Sequence, residues 1–153
     1  MPDQTNSKTN DWLTKFKESG YRLTGPRYFV VEILAQSDKA LTAQDIFYLA
    51  QPAYPSLGLV SVYRTLEKLE QLGLIQRVHR KDNCHAFIAA PDGHEHLLVC
   101  SECGRVSFFQ GDDLNTLVDS VEQETGYQVH EHWLQLIGIC ASCQNEHKGE
   151  NLR

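Results

Sequence analysis

The chain has 153 residues and a mass of 17.4 kDa, is 41% hydrophobic and 22% charged, and carries a net charge of −6, a globular composition sized for one domain or two small ones. No stretch reaches the roughly 20 apolar residues of a membrane helix, and the polar start lacks the apolar centre of a secretory signal. Collagenous, mucin-like, disordered and membrane-spanning chains are therefore excluded, and the cytoplasm is the expected compartment. The charge is unevenly divided: residues 1–80 hold ten Lys or Arg against eight Asp or Glu (+2), and residues 81–153 hold four against twelve (−8). A polyanion could face the first half but not the second.

Residues 1–10 are polar and aperiodic and read as a flexible arm. Asp11 is placed to cap a first helix running to about Ser19, with Trp12, Leu13 and Phe16 on one face and Gly20 after it. Thr24-Gly25-Pro26 starts a second helix with proline in its first turn, and Phe29, Val30, Ile33 and Leu34 carry its apolar stripe to about Gln36. A third begins at the N-cap Thr42, points Ile46, Leu49 and Ala50 inward, and stops at Pro52. A fourth spans about 59–72, with Val62, Leu66 and Leu69 at i, i+4 and i+7 and Gly73 as its C-cap; Ser61, Arg64, Thr65 and Lys68 lie opposite that stripe.

Two β-like runs, 74–80 and 84–89, flank Lys81-Asp82-Asn83 and read as a hairpin. Short helices closed by a hairpin describe a winged helix-turn-helix domain over 11–89. Its last helix suits the DNA major groove, and the hairpin suits the flanking backbone. Ser61, Tyr63, Arg64 and Thr65 are the candidate base contacts, and Lys15, Lys17, Arg22, Arg27, Arg77 and Arg80 the candidate phosphate contacts. A basic helix face is equally compatible with plain solvation, and fold does not fix function.

Residues 90–93 read as a hinge. Beyond it, strands are predicted at 94–99, 104–109 and 128–139, and a helix at 112–125 with Leu114, Leu117, Val118 and Val121 at helical spacing. The fold class is thus α+β: a winged helix-turn-helix domain, then a small α/β domain over 94–145 and a polar tail over 146–153. So small a second core calls for a staple.

The cysteines supply one. Cys84, Cys100, Cys103, Cys140 and Cys143 make an odd number, four of them in two CxxC pairs, which fits reduced thiolates on a metal better than a disulfide framework. Two residues between thiolates let one turn place both sulfurs about 2.3 Å from a zinc ion, and two such turns close a tetrahedron. A closed four-sulfur site is structural, with no open position for chemistry.

Histidines provide a second set. His94 and His96 are two apart on a predicted strand and share a face, as do His130 and His132. His79 ends one hairpin strand and Cys84 opens the next, near the hinge that leads to His94. His79, Cys84, His94 and His96 form a second candidate zinc site, of nitrogen and sulfur ligands, whereas His85 would point away. Singly, each is more commonly a surface histidine or a small buried thiol. An enzyme is not expected, because no GxSxG, P-loop, GxGxxG or HExxH is present.

The motifs GYRLTGPR at 20–27, LVSVYRTL at 59–66, HEHLLVCSECGRV at 94–106 and GICASC at 138–143 together resemble the ferric uptake regulator family, most closely its zinc uptake regulator branch. The resemblance covers nearly the whole chain in the family's order. It implies a homodimer in which the amino-terminal winged helix reads palindromic double-stranded operator DNA and the carboxy-terminal domain dimerises. Two zinc ions per subunit are implied, one structural and one regulatory, with no membrane and no small-molecule substrate. It implies that Cys100, Cys103, Cys140 and Cys143 hold the structural zinc, that Tyr63 and Arg64 are the recognition pair, and that His94 and His96 belong to the regulatory site. His79 matches a ligand position of some zinc-sensing members, and Glu95 and His132 match an additional site of iron-type members, with His130 as a further candidate there and the zinc site of His79, Cys84, His94 and His96 as the regulatory one. Three residues separate His96 from Cys100 where relatives commonly have two. The histidine and acidic ligands of iron-type members are replaced by Ala40 or Leu41, Ile88 and Phe108. Depleted oxygen donors favour zinc over iron, manganese or peroxide sensing, and the expected function is repression of zinc-uptake genes.

Overall fold

The computed structural model describes residues 4–80, 82–111 and 113–150, the side chains of 4–6 and 147–150 excepted. Two compact units emerge, Met1–Ala90 with Cys103–Arg105, and Pro91–Glu102 with Val106–Arg153.

The first unit contains α1 (Gln4–Glu18), α2 (Gly25–Gln36), β1 (Leu41–Thr42), α3 (Ala43–Ala50), α4 (Leu59–Gln71), β2 (Ile75–His79) and β3 (His85–Ala89). Helix α1 starts well before Asp11, and Thr9 is buried, so the described part of the expected arm is helical; residues 1–3 lie outside the described residues. No acidic residue occupies that helix's first turn, which removed the start signal from the sequence. Trp12, Leu13 and Phe16 pack with Val30, Val31 and Leu34 of α2, Ile46 of α3 and Val62, Leu66 and Leu69 of α4.

Helix α3 begins at Thr42 as expected. The Thr42 hydroxyl accepts from the Asp45 amide while the Asp45 carboxylate accepts from the Thr42 amide, a reciprocal capping box. Its buried face is Ala43, Ile46 and Ala50, and Leu49 is exposed, because residue 49 lies about 100° round the helix from residue 50. The β2–β3 hairpin pairs antiparallel from Ile75↔Ala89 to His79↔His85, and β1 adds to its other edge, giving the order β1-β3-β2. Within the turn, Asn83 takes the left-handed conformation at φ 57°, and Lys81 lies outside the described residues.

The second unit contains β4 (His96–Cys100), β5 (Val106–Phe109), α5 (Leu114–Thr125), β6 (Gln135–Gly138) and α6 (Ala141–Glu150). Its sheet runs β5-β4-β6, antiparallel between β4 and β5 and parallel between β4 and β6. The expected long strand over 128–139 shortens to β6. Upstream, the Val129 amide donates to the Glu122 carboxylate instead of to a neighbouring strand. Helix α6 occupies part of the expected tail; its polar composition offered no apolar period to read. Helix α5 buries none of its side chains within the unit. Asp112, its expected first residue, lies outside the described residues.

Among the described residues no helix is long and apolar enough to cross a membrane.

Candidate metal centres and nucleic-acid surface

Parallel pairing of β4 with β6 builds two donor groups. The register Cys100↔Gly138 sets Cys100 beside the turn that leads to Cys140, so both CxxC pairs meet at the carboxy-terminal ends of the two strands. Their amino-terminal ends, roughly 13 Å away at the rise of a strand, hold His96 as the first residue of β4, with His94 just before it, and His132 shortly before β6.

At the first end, the ligand atoms of Cys100, Cys103, Cys140 and Cys143 all lie within 4.8 Å of one another, with Cys100 and Cys143 buried. The Cys100 and Cys143 sulfurs are 3.9 Å apart. A tetrahedron of thiolates about 2.3 Å from a zinc ion places sulfurs about 3.8 Å apart, whereas a disulfide needs about 2.05 Å. The residues therefore fit a four-thiolate metal. The Cys140 amide donates to the Cys100 sulfur at 3.3 Å.

At the second end, the ring nitrogens of His94, His96 and His132 also lie within 4.8 Å of one another. The His94 and His132 Nε2 atoms are 2.9 Å apart, and the three ring centroids are separated by 4.7 to 5.2 Å. His96 is buried, and its Nε2 has no hydrogen-bond partner. Burial first, then the neighbouring His94 and His132, hold its pKa below the ordinary value. A neutral imidazole with an unused nitrogen facing two others is the state a metal ligand requires.

Gly111 makes that seat. At φ +64° it takes a left-handed turn, and a Cβ there would lie 2.9 Å from the His96 Cδ2 atom. The sequence showed Gly111 only as one more glycine after a strand.

The expected ligand sets are thus regrouped. His132, assigned to an additional site with Glu95 and His130, joins His94 and His96; Glu95 and His130 belong to neither described donor group. His79 and Cys84, expected with His94 and His96, also belong to neither group. They lie on the hairpin of the first unit, where Cys84 is exposed, precedes β3 and donates its amide to the Asp82 carboxylate. His79 stands opposite His85.

On α4, Ser61, Tyr63 and Arg64 are exposed. Thr65 corrects the expectation: it is fully buried, and its hydroxyl donates to the Ser61 carbonyl at 2.7 Å. Residues 62, 65, 66 and 69 form a wider inward stripe than the apolar residues alone revealed, and a hydroxyl bonded to its own helix is cheap to bury. Several expected phosphate contacts are engaged within the unit. Lys15 pairs with Asp11 at 2.8 Å, the Arg27 guanidinium donates to the Arg22 carbonyl, Arg80 lies 3.6 Å from Asp82, and Arg77 is held twice by Glu70. Lys17 and Arg22 are exposed.

Comparison with known proteins agrees with this architecture. The ferric uptake regulator family model matches residues 18–137. A ferric uptake regulation protein of Neisseria meningitidis is 30% identical over 138 residues, covering 89% of this chain and 95% of that protein. Its Bacillus subtilis namesake is 31% identical over 132 residues, covering 84% and 89%. Among solved structures, a zinc uptake regulator complexed with zinc and DNA superposes with a TM-score of 0.74 over 95% of this chain and 99% of that one, at 20% identity, a likeness of fold. With a family match across most of its length and two thiolate knuckles in place, the chain belongs to the ferric uptake regulator family of metal-responsive transcription regulators and is not an enzyme.

Proposed function

We propose that the chain is a zinc-responsive repressor that binds palindromic operator DNA as a zinc-loaded homodimer and silences genes for zinc uptake. The observation that carries the metal assignment is the His94, His96 and His132 group, three nitrogen donors with no carboxylate among them. Imidazole and thiolate sets suit zinc, whereas ferrous iron and manganese favour oxygen-richer sets. In this reading each subunit takes two zinc ions, one at the four cysteines and one at the histidines. Bound zinc supplies a divalent charge that the donors of each group share.

The remaining work falls to the chain. Ser61, Tyr63 and Arg64 on α4 contact base edges, Lys15, Arg22 and Arg27 contact phosphates, and Arg77 is a reserve phosphate contact held back by Glu70. Helix α5, with no buried side chain and with Leu117 and Val121 exposed, supports a second copy as the partner of that face. Exposed Leu98, Phe108, Leu136 and Ile137 support the same assembly. His79 and Cys84 keep their sequence-based place as further regulatory donors, and Cys84→Ser tests it by sparing the fold while weakening the zinc response.

A gel-shift series on a promoter fragment decides the metal. Binding lost in chelator and restored by low zinc, but not by ferrous iron or manganese, is expected. Restoration by ferrous iron alone overturns the zinc reading. Iron is the second reading because the Neisseria and Bacillus relatives carry a ferric name. A coupling of about 1 to 3 kcal/mol per site corresponds to a change in operator affinity of about 5- to 150-fold, and operator DNA must tighten zinc binding by the same factor.

A further inference from the structure

Helix α4 presents Val60, Tyr63, Arg64 and Glu67 along one exposed stripe at i, i+3, i+4 and i+7. Val60, in the first turn, is 63% exposed, and Tyr63 is 53% exposed. A β-branched residue is a poorer helix former than alanine, so neither the helix nor the core gains from valine at this position. Its neighbours give it a use. The isopropyl group is one helical turn from a guanidinium that can take guanine O6 and N7, and the one apolar feature of the major groove is the C5-methyl group of thymine.

We infer that Val60 is a specificity-determining residue that packs its isopropyl group on a thymine C5-methyl in each operator half-site, within two base steps of the base read by Arg64. The inference rests on the DNA-binding reading above and adds to it a chemical preference that the polar contacts do not provide. Loss of one methyl contact weakens binding about fourfold per half-site, the transfer free energy of one methylene expressed as an affinity ratio.

The test uses the full-length chain, zinc-loaded, with a parallel ferrous-iron arm, to select duplexes from a random pool. The wild type should enrich a thymine at one pair of dyad-related positions. Replacing that thymine by deoxyuridine, which lacks only the methyl group, should weaken wild-type binding about fourfold per half-site. Val60→Ala, an exposed change that favours the helix, should bind the two duplexes equally and leave the rest of the selected motif intact. If Val60→Ala still discriminates thymine from deoxyuridine as the wild type does, the inference is overturned while DNA binding stands. Should the wild type enrich no sequence with either metal, the DNA-binding reading falls and takes the inference with it.

Discussion

Both carboxylate oxygens of Glu70, on α4, accept from the guanidinium of Arg77, on the wing strand β2, at 2.7 and 2.9 Å. The pair ties the reading helix to the wing, and it occupies the side chain expected to meet a phosphate. Glu70→Gln should free that charge. Its stability cost should stay under about 1 kcal/mol, because the pair is largely solvent-exposed. DNA affinity at low salt should rise, and the slope of log affinity against log salt should steepen by about 0.9, one added phosphate contact. Fluorescence anisotropy across a salt series measures both, and an unchanged slope removes Arg77 from the phosphate contacts.

Cys103→Ser should cost one zinc per subunit. Metal binding by a four-thiolate group contributes on the order of 10 kcal/mol to folding, so the second unit should unfold or the dimer should come apart. Elemental analysis with circular dichroism reads this. A stable variant with full metal content would end the structural assignment of that group.

Gly111→Ala should weaken zinc binding at the histidine group at least tenfold by pushing on His96, and leave the cysteine group loaded. Gly126→Ala is the control. It sits at a similar positive φ of 73°, but a Cβ there meets nothing within 4 Å, so both variants carry the same backbone cost of about 1 kcal/mol and only the first crowds a ligand. Equal calorimetric affinities for zinc in the two variants would deny Gly111 its positioning role.

Metal-free chain should lose stability as pH falls below about 6.5, the ordinary value for histidine. His96 has its pKa lowered in the folded state, so the unfolded chain binds more protons between that lowered value and 6.5, and stability rises with pH through the window. Denaturant melts from pH 5 to 7 should show this rise, and His96→Leu should flatten it. A slope that is the same in the variant assigns the effect to other groups.

Val121→Glu on α5 should yield monomers in sedimentation velocity without unfolding either unit, since that side chain is exposed and α5 has no buried residue. Dimers of unchanged stability would place the self-association face elsewhere.

Legibility from sequence followed the physics of each signal. Helices α2, α3 and α4 could be read because proline, a capping threonine and a glycine stop bracketed apolar stripes. The four-cysteine group was legible because CxxC is a local device. The company of His132 was not, because it depends on β4 and β6 running parallel, a pairing between residues 38 apart that periodicity cannot register. Thr65 was misread because a buried hydroxyl bonded to its own helix looks polar in sequence. Gly111 was overlooked because its meaning lies in the imidazole beside it.

Helix α5 has one last consequence. In the proposed dimer, its exposed Leu117 and Val121 leave water when two copies meet, so the free energy that holds the metal-responsive unit together scales with how much of the chain a cell contains. Dilution would then mimic metal starvation. The same promoter would answer at different zinc thresholds in cells that make little of the regulator and in cells that make much of it.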